Sequence, residues 1–364
     1  SYATGNVDHK LKEVIRVRLA RHAGDPYFAG LRSNVAAKAG VGMKTVSRVL
    51  NNEAHVRPAM KERVMKAIDE LGYRPNLAAR QLAASRSFLI TFILSDVFSS
   101  YQTSMLVAAS TECRLRNYHL VVEVRDQDET AERLGERGTA NPRPDGIMLV
   151  PPLSNDAAIV RAIESKGTRL VRVASTLSGY GDIVPVRDTD VSRKMVAHIA
   201  ATGKSRIALI APPFERAAAS ERVTGYRSAL AQARLRYRAD YVVKGDFTFA
   251  SGKAAAEQLL ALPEPPDAIF ATNDAMALGA MAAARQIGRD IPRDIAIAGF
   301  DDSPGSRTMY PPLTTVRQPI PGMARNAISV LLGHADALEE LVPELIIRGS
   351  TQPGATADVH GEDM

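Results

Sequence analysis

Between Phe88 and Asp302 the chain repeats one pattern, a short apolar run followed by a longer amphipathic stretch. The runs read FLITFIL, HLVVEV, GIMLVPP, RLVRVA, RIALIAPP, AIFATND and IAIAGFDD. Each has the length of a strand. Continuous rather than alternating apolar character belongs to strands buried on both faces. Strands of that kind, separated by helical stretches, build parallel βα units. Their number suits two doubly wound subdomains better than one sheet. Ligands of such folds bind beyond the carboxyl ends of the strands. The cleft candidates are therefore Asp96, Phe98, Ser99, Tyr101, Arg125, Ser154, Ser175, Asn273, Asp274, Asp301 and Asp302.

The chain ahead of this region has a different character. Residues 1–90 hold 16 of the 46 Lys and Arg but only 7 of the 40 Asp and Glu. A basic head on a slightly acidic body points to a polyanion partner at the head. Within it, VAAKAGVGMKTVSRVLNN (Val35–Asn52) reads as two short helices around a tight turn. Gly40 suits the turn and Val41 plugs the angle. Val46, Val49 and Leu50 point inward at helical spacing, which leaves Met43, Lys44, Ser47, Arg48 and Asn51 outside. A small rigid helix with such a face fits the DNA major groove. Pro58 opens a third helix with Met60, Val64, Ala67, Ile68 and Leu71 as its stripe, and Gly72 stops it. The segment LAARQLAAS (Leu77–Ser85) is helical in pattern but has little to bury itself against. It reads as a linker, or as a helix that folds only on DNA beside a second copy. Before the motif, Leu11, Val14, Ile15 and Leu19 share a helical face in a 1–30 extension to which no function attaches.

Several classes are excluded. Cys113 is the only cysteine, so no internal disulfide forms, and the seven histidines lack metal-ligand spacing. No apolar run approaches the length of a membrane span, and SYATGNVDHK lacks the apolar core of an export signal. A cytoplasmic protein with no cofactor is expected. An enzyme would need a nucleophile–base or metal set, and no GxSxG, HExxH or P-loop pattern is present. A periplasmic sugar binder would have no use for residues 31–84. A nucleoid-type architectural protein would bind DNA without ligand control.

The ordered set AGVGMKTVSRVLNN, ELGYRPNLAARQLA, DGIMLVPP, ERVTGYRSAL, GDFTF, ATNDAMALGA, AGFDD and PPLTTVRQP resembles the lactose-repressor (LacI/GalR) family of bacterial regulators over residues 31–352. The resemblance implies an all-α helix-turn-helix head joined to a periplasmic-binding-protein-like α/β core of two doubly wound parallel-sheet subdomains. It implies base-edge reading by Met43 and Lys44, a groove or phosphate contact by Arg48, and backbone contacts by Thr45, Ser47 and Asn51. It further implies a hinge helix at Asn76 to Ala84, with Leu82 wedged into the minor groove and Ala79 and Ala83 small enough for two hinges to meet. In the core it implies that Arg222 grips the effector, Asn273 and Asp301 bind its hydroxyls, Phe247 stacks on it, and Phe98 and Tyr101 line the other wall. Asp274 and Asp302 are as readily cap or brace residues, and Phe247 as readily plain core.

The departures carry information. Asn34, Gly42 and Arg57 stand at capping positions of the head where the family has Asp or Ser, and Arg does not cap. Leu31-Arg32 also replaces the usual start. In the core, Ala174-Ser175-Thr176 removes a carboxylate and Val186-Arg187-Asp188 adds a guanidinium. If Arg187 enters the cleft beside Arg222, the effector is an acidic metabolite such as a sugar acid or sugar phosphate. If Arg187 pairs with Asp188 or Asp190 outside it, a neutral sugar is expected. Both placements are open from sequence.

The expected domains are a 1–30 extension, a 31–75 head and a 76–87 hinge. Residues 88–187 with 317–343 and 188–316 with 344–353 form the two core subdomains, and 354–364 is a polar tail. The tail has no leucine heptad, so a C-terminal coiled coil is not expected. A dimer on a palindromic duplex operator, controlled by a carbohydrate-like effector, is the expected assembly.

Overall fold

The computed structural model describes residues 34–50, 56–73, 81, 86–95, 99–126, 128–140, 143–211, 217–334 and 338–352. The 1–30 extension, Asn51, the hinge residues Asn76, Ala79 and Leu82, the cleft candidates Asp96 and Phe98, and the tail lie outside the described residues.

The chain divides into Ser1–Arg86 and Ser87–Met364. In the first unit, helix α1 (residues 34–39), α2 (Met43–Leu50) and α3 (Pro58–Glu70) close on one small core. Val35, Ala36, Ala39, Val46, Val49, Val64, Ala67 and Ile68 are buried there, with Val41 packed against them. Gly40 turns the chain at φ +62°, in the left-handed region that glycine tolerates. A brace not anticipated from sequence holds this turn: the Arg63 guanidinium of α3 donates to the carbonyls of Ala39 and Gly40. Pro58 starts α3, and Arg57 before it caps nothing with its side chain.

The second unit holds two parallel sheets. The first comprises β1 (Leu89–Leu94), α4 (Ser100–Leu115), β2 (His119–Val124), α5 (Ala131–Gly138), β3 (Gly146–Leu149), α6 (Ala157–Glu164), β4 (Leu170–Val173) and β5 (Asp182–Val184). Its strand order is β2-β1-β3-β4-β5. The second comprises α7 (Asp188–Ala201), β6 (Ile207–Ala211), α8 (Ala217–Gln232), β7 (Val242–Lys244), α9 (Phe249–Leu260), β8 (Ala268–Ala271), α10 (Asp274–Gln286), β9 (Ala296–Ala298) and α11 (Pro304–Thr308). Its order is β7-β6-β8-β9. The chain then forms β10 (Thr315–Arg317), α12 (Ile320–Leu331) and β11 (Glu344–Ile346), with β10 and β11 paired antiparallel.

The continuous apolar runs are explained by burial on both faces. In β6, Ile210 faces one helix layer with Ala255 and Met276, and Leu209 faces the other with Met195 and Tyr226. In the first sheet Ile93, Ile147 and Leu149 pack against Leu134, Ile159 and Ile163. Helices α9 and α10 approach too closely for side chains between them: a Cβ on Gly252 would lie 2.3 Å from the Met276 backbone. This seats the start of α9 against the start of α10, the two helix ends nearest Phe247 and Asn273.

Candidate functional site

The recognition-type helix α2 presents Met43, Lys44 and Arg48 to solvent, with Thr45 and Ser47 half-buried beside them. Its first turn carries no acidic residue, and Val46 and Val49 anchor it. A helix with positive and polar groups outside and two valines fixing its roll is suited to lie against phosphates and base edges.

In the second unit, one cavity of about 310 Å³ is lined from the carboxyl ends of both sheets. Ser95, Ser99, Tyr101 and Gln102 follow β1, Pro151, Pro152 and Asn155 follow β3, and Ala174 follows β4. From the other side come Asp188, Arg222, Asp246, Phe247, Thr248, Asn273, Asp301 and, after β10, Gln318. Five of the seven expected effector residues therefore meet here: Tyr101, Arg222, Phe247, Asn273 and Asp301. Ala174, Phe247 and Asp301 all hold positive φ, at 50°, 74° and 112°. Strain of this kind at non-glycine residues persists where surrounding structure over-determines it, and it concentrates at ligand sites.

Each functional side chain is held by partners. Asn273 caps α10 through Oδ1, which accepts from the Met276 N–H at 2.9 Å, while its Nδ2 donates to the Phe247 carbonyl at 3.0 Å. One N–H and one lone pair of the amide are left for a ligand. Asp301 accepts from Gln318 Nε2 at 2.6 Å. Burial raises its pKa to about 6, against the lowering pull of Arg222. Arg222 stacks on the Phe300 ring at 3.6 Å and donates to the Thr272 carbonyl. Its Nε donates to Asp188 Oδ2 at 2.9 Å in a buried ion pair.

Arg187 does not join this group. It is exposed, precedes α7 at the capping position without capping it, and is not among the residues lining the cavity. The residue that enters is its neighbour Asp188, because the first turn of α7 directs Asp188 at Arg222. The expectation of a cleft made more positive by Arg187 is thus overturned. The lining holds three carboxylates, Asp188, Asp246 and Asp301, and among the described residues one guanidinium, Arg222.

Asp274 and Asp302 are braces. Buried Asp274 accepts from the Ser303 N–H at 2.6 Å and Thr315 Oγ1 at 2.5 Å, and burial followed by the charge of Asp301 raises its pKa to about 7. Asp302 accepts from Arg307, Arg317 and Arg348. Burial opposes its ionisation, but hydrogen bonds from these arginines prevail and hold its pKa below the usual carboxylate value. Arg125 donates to the Glu129 carbonyl, and Ser154 and Ser175 hydrogen-bond buried Arg172. None of these lines the cavity. Asp188, Gln102 and Gln318 do line it and were not anticipated. Gln318 stood within PPLTTVRQP, and Gln102 stood three residues beyond a capping serine, but neither position announces a ligand role without the fold.

Comparison with known proteins settles the class. Residues 33–76 match the model of bacterial regulatory proteins of the lacI family, and residues 196–351 match that of the periplasmic binding protein-like domain. The HTH-type transcriptional regulator CelR of Thermobifida fusca is 35% identical over 306 residues, covering 82% of this chain and 89% of that one. The chain belongs to the LacI family. The Escherichia coli (strain K12) ribose operon repressor is 32% identical over 87% of the chain and 98% of its own length. Among solved structures, a complex of CelR with cellobiose aligns at a TM-score of 0.66 with 32% identity, covering 88% of this chain and 99% of that one. The lac repressor dimer bound to operator and the anti-inducer ONPF aligns at 0.68 with 28% identity, covering 87% and 97%. This LacI-family chain is accordingly a DNA-binding transcriptional regulator with a ligand-binding core, and not an enzyme. None of its described helices is long and apolar enough to cross a membrane.

Proposed function

We propose that the chain is a cytoplasmic repressor that binds a two-fold symmetric operator as a homodimer and answers to a carbohydrate effector in the cavity. The observation that carries the reading is the meeting of Phe247, Arg222, Asn273 and Asp301 in one strained cavity on a chain that also bears a helix-turn-helix. An aromatic face with hydroxyl-binding amide and carboxylate groups is the chemistry a sugar ring requires. The CelR structure named for its cellobiose complex supports the ligand class, and the lac repressor structure named as a dimer on operator supports the assembly. Exposed Tyr310, Phe249 and Ile287 leave apolar surface available to a second copy.

In this reading Met43 and Lys44 read base edges, Arg48 reaches groove or phosphate, and Thr45, Ser47 and Asn51 fix register on the backbone. The hinge from Asn76 to Ala84 folds on DNA, with Ala79 at the hinge–hinge contact and Leu82 as the minor-groove wedge. The core subdomains divide at 187/188, 316/317 and 343/344. Effector acts by binding the DNA-competent and DNA-incompetent arrangements unequally.

Two substitutions test the DNA half. Lys44→Ala relaxes preference at one base position in each half-site, read by binding to a set of singly changed operators. Equal weakening on all sequences would make Lys44 a phosphate contact. Leu82→Ala lowers both affinity and DNA bending while the melting temperature holds, and an unchanged bend angle would remove Leu82 from the wedge role.

A further inference from the structure

We propose that Asp188 sets the charge of the effector, closing Arg222 to anionic ligands and offering a carboxylate oxygen to a ligand hydroxyl, so that the effector is a neutral polyhydroxy ring. The inference rests on reading the cavity as the effector site.

Arg222 is the one cation that the described residues contribute to the lining. It is already engaged, with Nε on Asp188 Oδ2 at 2.9 Å and both side chains nearly excluded from solvent, at 7% and 5% exposure. A sugar acid or phosphate entering here would meet a neutralised guanidinium and the carboxylates of Asp246 and Asp301. Desolvating an anion beside like charges, without a free cation to receive it, is unfavourable.

The polar atoms left over specify what the site does accept. Asp188 Oδ1 is buried and has no hydrogen-bond partner among the described residues. On the opposite wall the buried Tyr101 hydroxyl and Gln102 Oε1 are in the same position. The orientation of the Gln102 amide is determined by its neighbours. Nε2 donates to Ser95 Oγ at 2.8 Å and to the Pro151 carbonyl at 3.1 Å, and a carbonyl accepts only. Gln102 therefore turns an acceptor, not a donor, to its free side. Two acceptors facing each other from the two sheets, with a hydroxyl between that both donates and accepts, require a ligand with at least two hydroxyl donors on opposite edges. Phe247 and the Pro151–Pro152 pair supply apolar contact for a ring face. A cavity of about 310 Å³ sits at the lower end of the range for small-molecule sites, which suits one sugar ring rather than an oligosaccharide.

Glu221 supports the arrangement from outside. Its carboxylate accepts from the Asp188 N–H at 2.6 Å and so caps α7, which Arg187 does not. The adjacent residues Glu221 and Arg222 of α8 thereby hold both the backbone and the side chain of Asp188.

The test is titration calorimetry of the full-length protein with pentoses, hexoses and cellobiose, and with the matching uronic acids and sugar phosphates. Wild type, Asp188→Asn and Asp188→Glu are compared, each first checked for an unchanged thermal transition. The expected result is a neutral monosaccharide that binds wild type while its acid and phosphate forms bind at least about tenfold more weakly. Asp188→Asn then loses about tenfold on the neutral sugar and gains on the acid form, because Arg222 is released to it. Asp188→Glu keeps the rejection of acids but loses neutral affinity, and it carries the test if the Asn variant does not fold. An acid or phosphate that binds wild type as tightly as its neutral parent overturns the inference while leaving the carbohydrate reading standing. Binding of none of these sugars by any of the three proteins overturns the carbohydrate reading itself, and this inference with it.

Discussion

At the scale of single residues, the cavity works by deciding which charges are permitted inside. Asp301 is ionised at neutral pH and gains a proton as pH falls through about 6. A sugar hydroxyl donates to the carboxylate and not to the protonated acid as effectively, so effector affinity falls between pH 7 and pH 5. Calorimetry over that window shows it, and Asp301→Asn flattens the dependence while lowering affinity at pH 7. The same shift acts on folding with the opposite sense. The folded pKa values of Asp301 and Asp274, about 6 and about 7, lie above the ordinary aspartate value. Their contribution to stability is therefore present in full below the unfolded pKa and is lost as pH rises through 6 to 7. Acid thus favours the fold through these two groups while weakening effector. Asp188 shows why residue roles were only partly legible in the chain. Its partner Arg222 lies 34 positions away, and nothing local distinguishes the side chain that enters the cavity from Arg187, which does not. A one-residue step at a helix start reverses which side chain faces inward.

At the scale of elements, legibility followed burial. Strands β1, β3, β4, β6 and β8 are buried along their whole length, so their apolar runs stood out in the sequence. Strand β5, with exposed Asp182, and the short strands β7, β10 and β11 carry no such run and emerge only from tertiary pairing. The head was legible because three small apolar stripes close on one another, whereas the Arg63 brace joins residues 23 and 24 positions apart and leaves no periodic trace. The contact of α9 with α10 has the same origin. Gly252→Ala places a Cβ against the Met276 backbone, which cannot move like a flexible side chain. A loss of about 1–3 kcal/mol in unfolding free energy is expected for such overpacking, measured by chemical denaturation. Effector affinity should fall with it, since this contact seats the loop bearing Phe247. Unchanged affinity in the folded variant would separate the packing from the site.

At the scale of the whole molecule, the account joins two separately folded parts through one coupling free energy. The head supplies sequence reading on a rigid helix, and the core supplies a two-walled cavity whose walls come from different sheets. A ligand that bridges Tyr101 and Gln102 on one wall and Asp188 and Asp301 on the other favours whichever subdomain arrangement brings them together. Selectivity for that arrangement is what transmits ligand binding to DNA. The most direct measurement is selection of genomic DNA fragments by the full-length protein, followed by affinity for the enriched site with and without the sugar that calorimetry identifies. The account predicts a two-fold symmetric sequence bound by two chains, with an affinity that changes at least about fivefold on adding the sugar, in the usual range of allosteric coupling. Enrichment of sites without two-fold symmetry, or an affinity that the bound sugar leaves unchanged, would contradict it.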